Sequence, residues 1–169
     1  MNKILIAILF LLFTTLNISC ESKSKNKHRT NESNEEYLSV TIVVDGDTFW
    51  ADNGTSKGIK IRLIGVDAPE SRNVFKKKLG YYGKEAKAYL TKMLSGKNVK
   101  LVCDVDSLDQ YGRTLAYVYL EGGTFVNADL MKNGYAMVMT IPPNVKFADE
   151  FVKLQQEARE NNRGLWKEQ

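Results

Sequence analysis

The residues able to do chemistry in this chain lie where apolar runs stop. Asp45 and Asp47 close the stretch VVDGDTF (43–49), and Asp67 and Glu70 close IRLIGVDAPE (61–70). Acids beside turns are most often turn formers, and Asp-Gly-Asp alone says little more than that. Arg62 changes the reading. It sits inside the second apolar run, where a lone cation is costly unless it is paired. Carboxylates with an embedded guanidinium make a two-part device: the acids hold a hard cation, and the guanidinium holds the anion that the cation attracts. Oxygen-only ligands favour Ca²⁺ or Mg²⁺ over Zn²⁺. A second guanidinium, Arg113, ends the loop DQYGR. It reads either as a surface charge or as a second donor fork for phosphate, which arginine suits through its bidentate geometry.

The elements that must position these residues are mostly strands. Leu38, Val40, Ile42 and Val44 alternate with more polar neighbours, the period of a half-buried strand. Asn53-Gly54 and Gly58 mark a turn, and IKIRLIGV (59–66) is predicted as the returning strand. The polar, lysine-rich stretch 71–82 reads as a loop. Ala86, Tyr89, Leu90, Met93 and Leu94 fall on one face of a predicted helix that Gly96 stops. Strands are predicted over NVKLVCDV (98–105) and TLAYVYL (114–120), then a short helix ending at Gly134. YAMVMTI (135–141) is ambiguous. A last helix begins near Phe147 and is predicted to end at Gly164. Strands come first and helices are inserted between and after them, without βαβ alternation. That order argues for a small antiparallel barrel with packed helices, of α+β class.

The remainder of the 169 residues is of a different kind. Residues 1–19 have a basic start and the apolar run ILIAILFLLF, too short for a membrane span of about 20 residues, and are predicted to be a secretory signal. Cys20 follows small Ser19, with Leu16 nearby. This resembles a bacterial lipoprotein signal, which implies cleavage before Cys20, lipid attachment to it and a membrane-anchored location at the cell envelope. The alternative is an ordinary cleaved signal with a free Cys20. Residues 20–36 follow; from Glu21 to Glu36 they contain no aliphatic or aromatic residue, and they read as a flexible tether. His28, the one histidine, lies there, so histidine catalysis in the domain is excluded. Residues 37–169 form the folded domain, and no obligate protein partner is expected for this monomer. Its one cysteine, Cys103, is expected to be a small buried residue. The net charge of +4 permits an anionic partner without requiring one.

Four segments, VVDGDTF, IRLIGVDAPE, YYGKEA and DQYGRTLAYVYL, occur in the order and spacing of the thermonuclease, or staphylococcal nuclease, family, and the chain resembles that family from about Ser39 to Trp166. The resemblance implies a five-stranded OB-fold β-barrel with three helices, and a Ca²⁺-dependent phosphodiesterase acting on DNA and RNA. It implies that Asp47 and Asp67 are direct Ca²⁺ ligands, with the Ala68 carbonyl as a backbone ligand and Asp45 acting through water. Glu70 looks like the general base, Arg62 and Arg113 like the phosphate clamp, and Tyr111 like a tyrosine beside the substrate phosphate.

The chain also departs from the family. Ala68 replaces a threonine, Gln110 replaces a lysine, and Thr140 stands where a nucleotide-binding tyrosine would be, with no counterpart to a second. Lys76, Lys77 and Lys78 are candidates to supply phosphate contacts instead, against the plain reading of a solvated loop. A domain that only binds nucleic acid is the alternative function. The presence of Asp47, Asp67, Glu70, Arg62 and Arg113 together weighs against it.

Overall fold

The computed structural model describes residues 36–73 and 80–167. Strands β1 (Leu38–Asp45), β2 (Thr48–Asp52) and β3 (Ile59–Leu63) form an antiparallel meander. β4 (Gly65–Asp67) follows, then α1 (Gly83–Leu94), β5 (Asn98–Val102) and β6 (Thr114–Leu120). The chain ends with α2 (Val126–Lys132), β7 (Met137–Met139), α3 (Ala148–Glu160) and a 3₁₀ turn, Gly164–Trp166. The strand order is β1-β2-β3-β6-β5, and pairing of β5 with β1 closes it into a five-stranded barrel. With three α-helices packed around it, this is the α+β OB-fold architecture. The order has one consequence for the site. β3 and β6 run parallel, with Ile61 opposite Thr114 and Arg62 opposite Leu115, so the ends that carry Arg62 and Arg113 lie side by side.

Alternation on the strands fills the barrel. Phe49, Ala51, Ile61, Val99, Ala116 and Val118 have no exposed surface, and full burial of each large side chain contributes about 1.5–3 kcal/mol. Ala86, Leu90 and Leu94 bury the predicted face of α1, which packs on β1. On the other side Tyr117, Phe125, Phe147 and Phe151 form an edge-to-face cluster that docks α3.

Four expectations are corrected. The alternation from Leu38 predicts Ile42 on the inner face, yet Ile42 is 61 % exposed and Val43 is buried. The register with β2 shifts between Val40 and Ile42 and again between Val43 and Asp45, and the first shift reverses the phase of the side chains that lie between the two. The run 59–66 is not one strand. It breaks after Leu63, and Gly65, at φ +76°, turns the chain so that Gly65–Asp67 pairs with β7 instead. A Cβ on Gly65 would lie 2.6 Å from the Phe151 ring, so a side chain is excluded by packing as well as by conformation. This pairing also settles the ambiguous segment 135–141, which supplies β7. Finally, Cys103 is exposed, not buried. β5 ends at Val102, and beyond it Asp104 ties the loop back by accepting hydrogen bonds from the Tyr117 hydroxyl (2.9 Å) and the Lys146 N–H (3.1 Å). The last helix likewise stops at Glu160, four residues before the predicted glycine.

Candidate active site

Asp45 ends β1, and Asp47 sits one residue into the turn before β2. The turn is tight because Gly46 has no side chain: a Cβ there would lie 2.6 Å from the Cβ of Ala68 and 2.9 Å from that of Ala86. The acidic turn is thereby pressed against the segment that follows β4, which brings the two acidic ends of the sequence together. Asp45 Oδ1 accepts the N–H groups of Gly46 (3.0 Å) and Ser71 (3.1 Å). Asp47 Oδ2 accepts the Ala68 N–H at 2.9 Å.

Arg62 is the centre of the arrangement. Its neighbours Ile61 and Leu63 point into the barrel, so Arg62 faces outward on β3. One Nη pairs with Asp47 Oδ1, and the other donates to Asp67 Oδ1 (3.0 Å) and the Val66 carbonyl (3.1 Å). The question of how an apolar strand tolerates a cation is thus answered by two carboxylates from different elements. Asp47 is only 3 % exposed. Burial pushes its carboxyl above the usual range, against the opposing pull of the Arg62 guanidinium, the Ala68 N–H and the Thr48 hydroxyl.

Arg113 enters the same space from the loop before β6. Asp109 Oδ2 accepts its Nε–H at 2.6 Å and Oδ1 its backbone N–H at 2.9 Å, while the Tyr111 N–H donates to the same Oδ1 at 2.8 Å. The guanidinium lies 5.4 Å from the Tyr111 ring centre, and Tyr111 itself is 74 % exposed. Asp45, Asp47, Arg62, Asp67, Ala68, Glu70, Tyr111 and Arg113 all line one cleft of about 720 Å³. The eight domain residues given catalytic, metal-binding or substrate-binding roles from the sequence therefore share one cleft, which Thr140 and Cys103 do not line. Cys20, His28 and Lys76–Lys78 lie outside the described residues.

Among the described residues, no three His, Cys, Asp or Glu side chains are gathered closely enough to hold a metal between them. What the carboxylates offer is read from their lone pairs. Asp47 Oδ1 is fully engaged by Arg62 and Thr48, and Oδ2 by one N–H, which leaves one acceptor position. Asp67 spends only Oδ1 on Arg62. Two carboxylates with free oxygen, and a third further off, suit a hard cation that fills its shell with carbonyl and water oxygens.

Sequence reasoning passed over the residues that hold the functional ones. Asp109 stands four residues before Arg113 in a loop, a spacing that could have suggested the pair. Asn127 gave no signal: it is fully buried, accepts the Val118 N–H at 2.9 Å and donates to the Ile64 carbonyl at 2.9 Å, bracing the break between β3 and β4 from behind.

A closed five-stranded barrel with guanidiniums and carboxylates gathered in one cleft on its wall places the protein among the α+β OB-fold proteins. The staphylococcal nuclease homologue family matches residues 60–168, and the chain belongs to that family. It is 37 % identical over 161 residues to a thermonuclease of Staphylococcus intermedius, covering 95 % of this chain and 92 % of that one. It is 31 % identical over 163 residues to the thermonuclease of Staphylococcus hyicus, covering 96 % and 95 %. Endonuclease YhcR of Bacillus subtilis is 35 % identical over 136 residues, which is 76 % of this chain and 11 % of that protein.

Proposed function

We propose that this domain is a Ca²⁺-dependent nuclease that hydrolyses phosphodiester bonds of DNA and RNA, tethered at the cell envelope through Cys20. The observation that carries the reading is the single cleft shared by Arg62, Glu70, Arg113 and the aspartates. Family membership and the thermonuclease relatives support it.

Each residue has a role that its chemistry fits. Asp47 and Asp67 would hold the ion, with the Ala68 carbonyl beside them and Asp45 acting through water. A bound Ca²⁺ supplies charge that screens the anionic diester and polarises a phosphoryl oxygen. Glu70 takes a proton from the attacking water as the water oxygen forms a new bond to phosphorus. One ester P–O bond breaks, and its oxygen is protonated from solvent. Arg113, with Nε fixed on Asp109, presents its two terminal nitrogens to the equatorial oxygens whose charge grows in the transition state. Arg62, from β3, ties Asp47 and Asp67 together through its terminal nitrogens and offers the phosphate the N–H groups not spent on them and on the Val66 carbonyl. Tyr111 adds a hydroxyl at the rim. Digestion of plasmid DNA and of RNA with Ca²⁺, and its loss in chelator, tests the reading; full activity in chelator refutes the metal assignment.

A further inference from the structure

The outer face of the barrel beside Arg62 carries a second pair of residues that the hydrolytic roles leave unused. β2 and β3 pair Thr48 with Arg62 and, one step along the same face, Trp50 with Lys60. The intervening residues Phe49, Ala51 and Ile61 are buried in the barrel, so Trp50 and Lys60 stand outward in line with Arg62. Both are partly exposed. Lys60 Nζ lies 5.9 Å from the centre of the Trp50 ring, no carboxylate pairs with it among the described residues, and its side chain reaches the wall of the cleft. On the other side of Trp50 is Ile42, its partner on β1, which the bulge has turned outward.

A cation and an indole on an open sheet face, continuous with a phosphate clamp, have the composition of a platform for single-stranded nucleic acid. The ring stacks a base and the ammonium meets a phosphate. Two residues along a strand span about 6.6 Å, on the order of one nucleotide of an extended single strand, so Lys60 falls where the phosphate next to the one held by Arg62 would pass. We propose that Trp50 and Lys60 form an additional subsite that binds a single-stranded stretch of the substrate outside the scissile phosphate. The inference rests on the nuclease reading and adds a direction along which the strand leaves the cleft.

The test is binding of single-stranded oligodeoxynucleotides of increasing length to a Glu70→Gln protein with Ca²⁺, which separates binding from cleavage. In the otherwise unaltered protein, affinity rises as the strand outgrows the cleft. Trp50→Leu, which keeps apolar bulk and loses the indole, reduces that gain by roughly fivefold or more, and Trp50→Phe retains part of it. Lys60→Ala lowers the slope of log affinity against log salt by about 0.7, the value for one phosphate contact on a single strand. In a Trp166→Phe background, the fluorescence of Trp50, then the one remaining tryptophan, is quenched by the longer strand and not by a dinucleotide. A length-dependent gain that is equal in all variants, with no quenching, overturns the subsite while leaving the nuclease reading intact. Absence of both oligonucleotide binding and cleavage in the unmutated protein overturns the two together.

Discussion

Asp109 grips Arg113 at two points: its Oδ2 accepts the guanidinium Nε–H at 2.6 Å, and its Oδ1 accepts the backbone N–H of the same residue at 2.9 Å. Asp109 is a positioning residue, since it fixes both where the side chain starts and which way it points. Asp109→Ala should lower kcat by roughly 10–100-fold through misplacement of the fork, with Asp109→Asn milder because an amide oxygen still accepts one of the bonds. Burial raises the Asp109 carboxyl, but the N–H groups of Arg113 and Tyr111 outweigh it and hold the carboxyl below its usual value of 3.8. A depressed folded-state value means that the contribution to stability is complete above the ordinary carboxylate range and is lost as pH falls through the depressed value. The stability difference between the native protein and Asp109→Asn should therefore stay constant near neutrality and vanish only below about pH 4. Denaturant titrations at several pH values measure it, and a difference that already fades between pH 7 and 5 contradicts it.

Glu70 and Arg113 should both act on the transition state. Glu70→Gln is expected to cut kcat by about 10²–10⁴ with little change in KM. Arg113→Lys keeps the charge but loses the fork and remains severely impaired. Tyr111→Phe should be far milder, at about 1 kcal/mol for one hydroxyl contact. Single-turnover rates on a defined oligonucleotide, with circular dichroism as a fold check, decide; near-native rates in folded Glu70→Gln and Arg113→Lys proteins would sink the mechanism.

Arg62 should behave differently from Arg113. It is paired with a carboxylate that is almost fully buried, and removing one partner of a buried pair costs about 3–5 kcal/mol. Arg62→Ala should lose stability as well as activity, whereas Arg113→Ala, on a half-exposed loop, should lose activity with little change in the denaturation midpoint. Equal midpoints for the two variants would contradict the bracing role of Arg62.

Ca²⁺ should activate, and Mg²⁺ should support little turnover. Two aspartates with carbonyl and water oxygens make an adaptable site, while Mg²⁺ demands strict octahedral geometry and keeps its waters. Ca²⁺ at 100 times its Kd should also stabilise the fold by about 2.7 kcal/mol. That gain should be lost in Asp47→Asn, which scanning calorimetry with Ca²⁺ or chelator measures independently of catalysis. Equal rates with both ions would argue against the site described.

Cys20 is the test of location. A lipidated protein partitions with membranes, and Cys20→Ser releases it or leaves it unprocessed. Each buried CH₂ adds about 0.8 kcal/mol and a single chain anchors only marginally, so stable attachment needs two or three chains. Recovery of the native protein in the medium, with an unmodified Cys20 by mass spectrometry, would exclude the anchor.

The sequence by itself determined which residues are candidates for the chemistry and which elements carry them. Asp47, Asp67, Glu70, Arg62 and Arg113 are legible because acids at strand ends and a cation in an apolar run violate the local pattern, and a violation of pattern needs no partner to be visible. The barrel strands and the three helices are legible for the same local reason, since periods of two and 3.6 are properties of neighbours in the chain. Tertiary structure decided what depends on distant atoms. The bulge that turns Ile42 outward is set by pairing with β2, and the break at Gly65 by the Phe151 ring some eighty residues away. Asp109 and Asn127 matter only through the groups they hold, and a hydrogen bond across a fold leaves no period in a sequence. The meeting of the two acidic ends is of the same kind: it follows from the contact of Gly46 with Ala68 and from the parallel register of β3 on β6, which long-range packing alone can fix.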